Sequence, residues 1–185
     1  EISNMLASTG AKFFSPADLG ITEDFDEEGG ESFEENALGK ARFYGRRAAK
    51  MIVVADDSGL TVDALEGELG VKTRRWGAGE TASDEEWLDF FMNRMERESN
   101  RKAAFVCAAA LRFPDCSEEV FTKGTPGSIC TEQKAAIKAG IPLSSVFLPD
   151  GYDKVYASMT DEEKNKLSHR GKAFAEILNY LKTQS

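Results

Sequence analysis

The segment VVADDSGLTVDALEG, Val53 to Gly67, sets two aspartates directly after an apolar run and just before Ser58 and Gly59. Adjacent carboxylates repel, so the pair needs a reason to exist. Met51 to Ala55 is continuously apolar and rich in β-branched side chains, which predicts a short strand buried on both faces. The strand is expected to stop where DDSG begins, placing Asp56 and Asp57 at its carboxyl end, the edge where α/β sheets receive ligands. Successive strand residues point to opposite faces, so the two converge on one point only if the chain has already turned. Two readings follow. Either one aspartate faces chemistry while the other holds the turn through a bond to the backbone two residues on, or both merely start a turn.

Working outward, SFEENALGKARFYGRRAAK (32–50) spaces Phe33, Ala37, Ala41, Tyr44 and Ala48 as one buried helix face. A helix normally runs antiparallel to the strand that follows it, which brings Glu34, Glu35 and Asn36 towards the aspartates. SDEEWLDFFMNRMERES (83–99) predicts a second helix with Trp87, Leu88, Phe91 and Met95 inward. KAAFVCAAALRF and EEVFTKGT read as consecutive strands joined by the turn PDCS. TDEEKNKLSHRGKAFAEILNYLK (160–182) closes the chain as a helix burying Leu167, Phe174, Leu178 and Leu181. A run of strands among helices predicts an α/β fold with a mixed sheet, not a strictly alternating parallel one.

With 185 residues, 41% hydrophobic and 30% charged, the chain is expected to be a single domain, residues 1–185. A net charge of −9 argues against a nucleic acid polymer as partner, since that requires a basic footprint. A small anionic ligand stays open, because local cations decide it. Cys107, Cys116 and Cys130 have no CxxC spacing and read as reduced thiols. The longest apolar run is too short to span a bilayer, so no membrane partner is expected and the cytoplasm is the default setting.

Clustered carboxylates in a cleft suit magnesium, which takes hard oxygen ligands and leaves its other positions to water and substrate phosphate. The aspartate pair together with the acids that open the preceding helix could hold such an ion, which would remove the repulsion between them. Ser32-x-x-Glu35 is also a capping box, a pattern repeated at Ser83-x-x-Glu86 and Thr160-x-x-Glu163 where no carboxylate pair follows, so both readings of Glu35 stand. The other dense segment holds Lys154, Lys164, Lys166, Arg170, Lys172 and the chain's single histidine, His169. On a continuous helix His169 and Arg170 turn away from Lys164, so convergence requires a break between Leu167 and Gly171. Without one, the segment is a solvated basic face.

SFEENALGKAR, VVADDSGLTVDALEGELGV and GYDKVYASMTDEEKNKLSHRGKA, in this order, resemble the inosine/xanthosine triphosphate pyrophosphatase family over nearly the whole chain. The resemblance implies an elongated, two-lobed α/β fold with a long mixed sheet flanked by helices, an active-site cleft between the lobes, and a homodimer. It implies Mg2+-dependent hydrolysis of a small-molecule nucleoside triphosphate, ITP, dITP or XTP, to the monophosphate and pyrophosphate. By position, Asp57 becomes the proton acceptor and a metal ligand with Glu35 as companion, Asp56 supports that geometry, and Lys40 reaches the triphosphate. Ser58 and Lys164 contact the nucleotide, with His169 and Arg170 near the purine 6-oxo edge.

Two departures from the family pattern matter. Glu1 aligns just beyond the family's first strand and its Asn- and Lys-containing phosphate loop, and Ser8 to Phe14 reads as a helix end and the next strand. Either the chain is truncated or the protein lacks that grip, and a nucleotide-binding protein with lost or altered catalysis is the competing reading. In AGIPLSSVFLP, Ile141, Pro142, Leu143 and Ser144 occupy the positions expected to stack on and bond the base, without the family's aromatic ring and acid. A changed nucleotide preference is the second alternative, with Leu143 offering an apolar cover. Arg74, Arg75 or Trp76 would compensate if they reached the ligand.

Overall fold

Strand β1 (Val53–Val62) carries the aspartate pair in its interior, not at its end. The computed structural model describes residues 12–25, 30–48, 50–72, 76–79 and 81–183. Helix α1 (Phe33–Gly45) precedes β1, and helix α2 (Asp84–Met95) follows it. Strands β2 (Lys102–Arg112) and β3 (Glu118–Ile129) come next, then the short β4 (Phe147–Pro149), helix α3 (Asp161–Leu167) and helix α4 (His169–Thr183). The sheet order is β1-β2-β3-β4. β2 and β3 form a hairpin closed by Phe113 N–H to Ser117 O at 2.9 Å, and β4 pairs antiparallel with β3, Gly127 opposite Pro149. The α/β class is as the sequence implied. Of Ser8 to Phe14, read as a helix end and the next strand, Lys12 to Phe14 form no strand and are followed by a 3-10 turn, Ala17–Leu19; Ser8 to Ala11 fall outside the described residues.

The chain divides into two compact units. The first comprises residues 1–58, 107–123 and 169–185, and its layers follow from strand alternation. On β3, Glu118 and Thr122 meet α1: Arg42 pairs with Glu118 at 2.6 Å, and Thr122 Oγ1 donates to Glu34 at 2.5 Å. The opposite face meets α4, with Tyr180 donating to Glu119 at 3.1 Å and Lys123 paired with Glu176 at 2.8 Å. On β2, Cys107, Ala109 and Leu111 pack against Ala173, Phe174 and Ile177 of α4, while Arg112 turns to Glu118. A strand covered on both faces needs no polar alternation, which is why β2 reads as a continuous apolar run.

The second unit, residues 59–106 and 124–168, has its own core. Trp87, Leu88, Phe91 and Met95 of α2 bury against Leu60, Val62, Leu65, Phe147 and Tyr156. Each such side chain, fully buried, contributes roughly 1.5–3 kcal/mol. Arg101 ties the unit together, donating to the carbonyls of Met95, Ile129 and Cys130 at 2.9, 2.7 and 2.7 Å. Both α2 and α3 begin with full capping boxes, Ser83 with Glu86 and Thr160 with Glu163.

The single closing helix read from the sequence is two helices. Ser168 adopts ψ 124 between α3 and α4, so the break falls inside the interval that convergence required. A helix leaves its last carbonyls without internal donors. Here Ser168 N–H serves Lys164 O at 2.6 Å, and the buried Thr125 hydroxyl donates to Leu167 O. Among the described residues no helix is long and apolar enough to cross a membrane.

Candidate functional site

The expectation that DDSG ends the strand is corrected: β1 continues to Val62, and the aspartates and serine take partners from its two faces. Asp56 and Ser58 share one face. Asp56 Oδ2 accepts from Arg170 Nε at 2.9 Å and Ser58 Oγ at 3.2 Å, with the Cys107 thiol at 3.8 Å. Arg170 also reaches Ser58 Oγ at 3.5 Å. Asp57 points the other way, accepting from Asn36 Nδ2 of α1 at 2.9 Å. Lys40, one turn further along α1, donates its Nζ to the Asp56 carbonyl at 3.0 Å. The antiparallel helix therefore meets the strand at successive residues, as its sequence position implied, and each aspartate has its own environment.

The charges are arranged to offset the carboxylate repulsion that the sequence raised. Arg170 neutralises Asp56, and an ionised acceptor strengthens each bond it receives. Burial pushes the Cys107 thiol up to about 11, so it stays protonated and able to donate. His169, the first residue of α4, is pushed down to about 4, mainly by burial and then by the neighbouring Arg170, with Asp56 pulling the other way. Its imidazole is neutral at pH 7.

Glu35 is engaged in capping: its N–H donates to Ser32 Oγ at 3.1 Å, while its Oε2 accepts from Glu31 N–H at 2.8 Å. The box is displaced by one residue, because the side chain returns to Glu31 instead of Ser32. Lys164 belongs to the second unit, where its Nζ lies 5.8 Å from the centre of the Tyr156 ring. Ile141 to Ser144 belong there too, and most of them face inward. Pro142, Leu143 and Ser144 are buried in a 3-10 helix, Pro142–Ser145, and Ser144 Oγ donates to Ile141 O at 2.7 Å. Leu143 is 3% exposed and Ile141 49%, so Ile141 presents the segment's apolar surface. Trp76 is half-buried, 5.2 Å from Phe90 edge-on; Arg74 and Arg75 lie outside the described residues.

Sequence reasoning placed Asn36 near the aspartates without giving it a task, and it read Cys107 only as a thiol. The signal for Asn36 was its position on the apolar face between Phe33 and Ala37, where an amide is costly unless bonded.

Fold and site together define an α/β protein with a charged polar site built on its first described strand, fed by one helix from either face. The chain belongs to the Ham1 family, whose model matches residues 1–180. It is 39% identical over 154 residues to a dITP/XTP pyrophosphatase of Bacillus anthracis, covering 82% of this chain and 75% of that protein. A dITP/XTP pyrophosphatase of Leptospira interrogans is 34% identical over 186 residues, covering 100% of this chain and 91% of the relative. Among solved structures, the Staphylococcus aureus Ham1 protein is similar with a TM-score of 0.88 at 30% identity, covering 100% of this chain and 94% of that one. A nucleoside-triphosphatase / dITP/XTP pyrophosphatase from Mycobacterium abscessus gives a TM-score of 0.76 at 36% identity, covering 97% and 92%.

Proposed function

We propose that this chain is a nucleoside triphosphate pyrophosphatase that hydrolyses dITP, ITP and XTP to the monophosphate and pyrophosphate with Mg2+. The observation that carries the reading is Asp57, held by Asn36 at 2.9 Å, with Lys40 bound at the carbonyl of the preceding residue. The names of the relatives point to the same reaction class. A carboxylate fixed in direction by a neutral donor is suited to take a proton from an attacking water.

Asp57 and Glu35 are the residues that would hold magnesium, Glu35 through the oxygen not used in capping. Among the described residues no three His, Cys, Asp or Glu side chains are gathered as a metal site. Magnesium, however, is commonly bound through one or two carboxylates and completes its octahedron with phosphate and water, so this donor set fits. When bound, the ion supplies positive charge at the phosphates and makes coordinated water more acidic.

The remaining roles belong to the chain's own groups. The Asp57 carboxylate accepts the water proton. Lys40 Nζ exchanges the Asp56 carbonyl for a phosphate oxygen and offsets its charge, which matters most at low effective dielectric. Arg170, aimed by Asp56 and Ser58, donates towards the purine 6-oxygen, and neutral His169 can donate at one ring nitrogen and accept at the other. Donors directed at a 6-oxo group are left unmet by a 6-amino purine, which is how such a site rejects adenine. Lys164 contributes charge to the nucleotide. A homodimer in the cytoplasm belongs to the same reading, and light scattering in solution tests the dimer.

One observation favours a second reading of the specificity. Leu143 is buried and no side chain from Ile141 to Ser144 is aromatic, so the exposed apolar group of the segment that the family pattern assigns to the base is the aliphatic Ile141. Base stacking on an aromatic ring is worth about 1–3 kcal/mol, so this protein would discriminate less sharply among bases. Pyrophosphate release from dITP, XTP, dUTP, GTP and ATP with Mg2+, for the wild type and Asp57→Asn, tests both readings. The expected result is release that favours 6-oxo purines and falls about 10²- to 10⁴-fold in the variant. No release from any triphosphate would leave a nucleotide-binding protein, and release unaffected by Asp57→Asn would refute the base.

A further inference from the structure

We infer that Asn36 and Gly30 act together as positioning residues for Asp57, Asn36 through its hydrogen bond and Gly30 through the space it leaves. The inference rests on the reading of Asp57 as the base. Asn36 sits in the first turn of α1 on the face that also buries Phe33, Ala37 and Ala41, and it is 3% exposed. Asparagine is a poor helix former, and a buried amide is costly unless bonded, so neither helix propensity nor packing accounts for it. Its bond to Asp57 does.

The orientation of the amide follows from chemistry. A carboxylate only accepts, so the nitrogen of Asn36 must face Asp57 and its oxygen must face away. That oxygen lies against Gly30. A Cβ added to Gly30 would fall inside the contact radius of Asn36 Oδ1, 2.6 Å from its Cγ and 3.3 Å from its backbone nitrogen. The backbone of Gly30 lies outside the left-handed region, so glycine is not required there for conformation. Space for the amide is what a side chain at position 30 would remove. Gly30 and Ser32 thus bracket the entry to α1: Ser32 caps the helix, and Gly30 lets Asn36 turn its nitrogen to the strand.

The consequence is specific. Asn36→Leu keeps the branched shape and heavy-atom count of the side chain and removes the donor, while Gly30→Ala keeps the donor and displaces it. Both variants release Asp57 from the direction in which it meets water. Steady-state pyrophosphate release from dITP and XTP is measured for Asn36→Leu, Gly30→Ala and the double variant, with thermal unfolding and Asp57→Asn alongside. Each single variant is expected to lower kcat about 10- to 100-fold, as a misplacement near 1 Å does, with KM within about 3-fold and the protein still fully folded at the assay temperature, the unfolding midpoint being lowered by the lost bond. The double variant should be no slower than Asn36→Leu, because Gly30 works only through Asn36. Wild-type kcat in Asn36→Leu, or multiplicative losses in the double variant, would overturn the inference while an inactive Asp57→Asn leaves the proposed function standing. A wild type that releases no pyrophosphate would overturn both together.

Discussion

Lowering the pH from 7.5 to 5 should weaken this fold through one residue, His169. Burial, Arg170 and Lys172 disfavour its protonation, Asp56 favours it, and the balance moves the imidazole from 6.5 to about 4. The unfolded chain takes up the proton near 6.5, whereas the folded chain resists until about 4. The stabilisation is complete above pH 6.5 and is lost as pH falls towards 4. By linkage the loss reaches about 2 kcal/mol at pH 5 and about 3 kcal/mol by pH 4. Carboxylates with lowered values, such as Glu118 beside Arg42 and Glu163 beside Lys154, begin to cost stability only below about 4.5, so the window from 6.5 to 5 isolates the histidine. Urea unfolding at pH 7.5 and 5 measures this for the wild type and His169→Gln. The wild type should lose about 2 kcal/mol more than the variant over that interval. Equal losses in the two proteins would refute the claim that His169 is held neutral by burial.

Three further perturbations probe the scaffold. Arg101→Ala strips donors from three carbonyls in the second unit and should cost about 2–3 kcal/mol in urea unfolding. Ser83→Ala removes the first half of the α2 capping box and should cost about 1 kcal/mol, whereas Ser83→Asp should cost little. Phe91→Ala empties a fully buried site beside Trp87 and should lose about 3–5 kcal/mol, read by the same measurement.

Much of this architecture was legible because periodicity survives folding. The stripe of α1 from Phe33 to Ala41, the stripe of α2, the β2–β3 hairpin and the capping boxes at Ser83 and Thr160 correspond to elements whose local pattern and tertiary packing agree, whereas α1 ends at Gly45, before Ala48. The end of β1 was not legible. Asp, Ser and Gly favour turns in isolation, and what keeps them extended here is tertiary: Asn36, Arg170 and Cys107 supply partners on both faces. The three-residue β4 is too short to show a period, and its pairing depends on Gly127, where a Cβ would strike the Phe147 ring. Sequence spacing showed that a break was needed after Leu167; the partners at that joint, Thr125 and Lys164, are visible only in space. Glu35 illustrates the opposite limit. Capping and metal binding use the same residue type at the same spacing, and only the direction of its Oε2 towards Glu31 reveals which task that oxygen performs.

Phosphorus NMR of the products formed from dITP and XTP with Mg2+ tests the central claim most directly. Water attack assisted by Asp57 predicts pyrophosphate and the nucleoside monophosphate in equal amounts, with the signals absent on the same timescale for Asp57→Asn. Inorganic phosphate and the diphosphate as first products, or an unchanged rate in the variant, would contradict it.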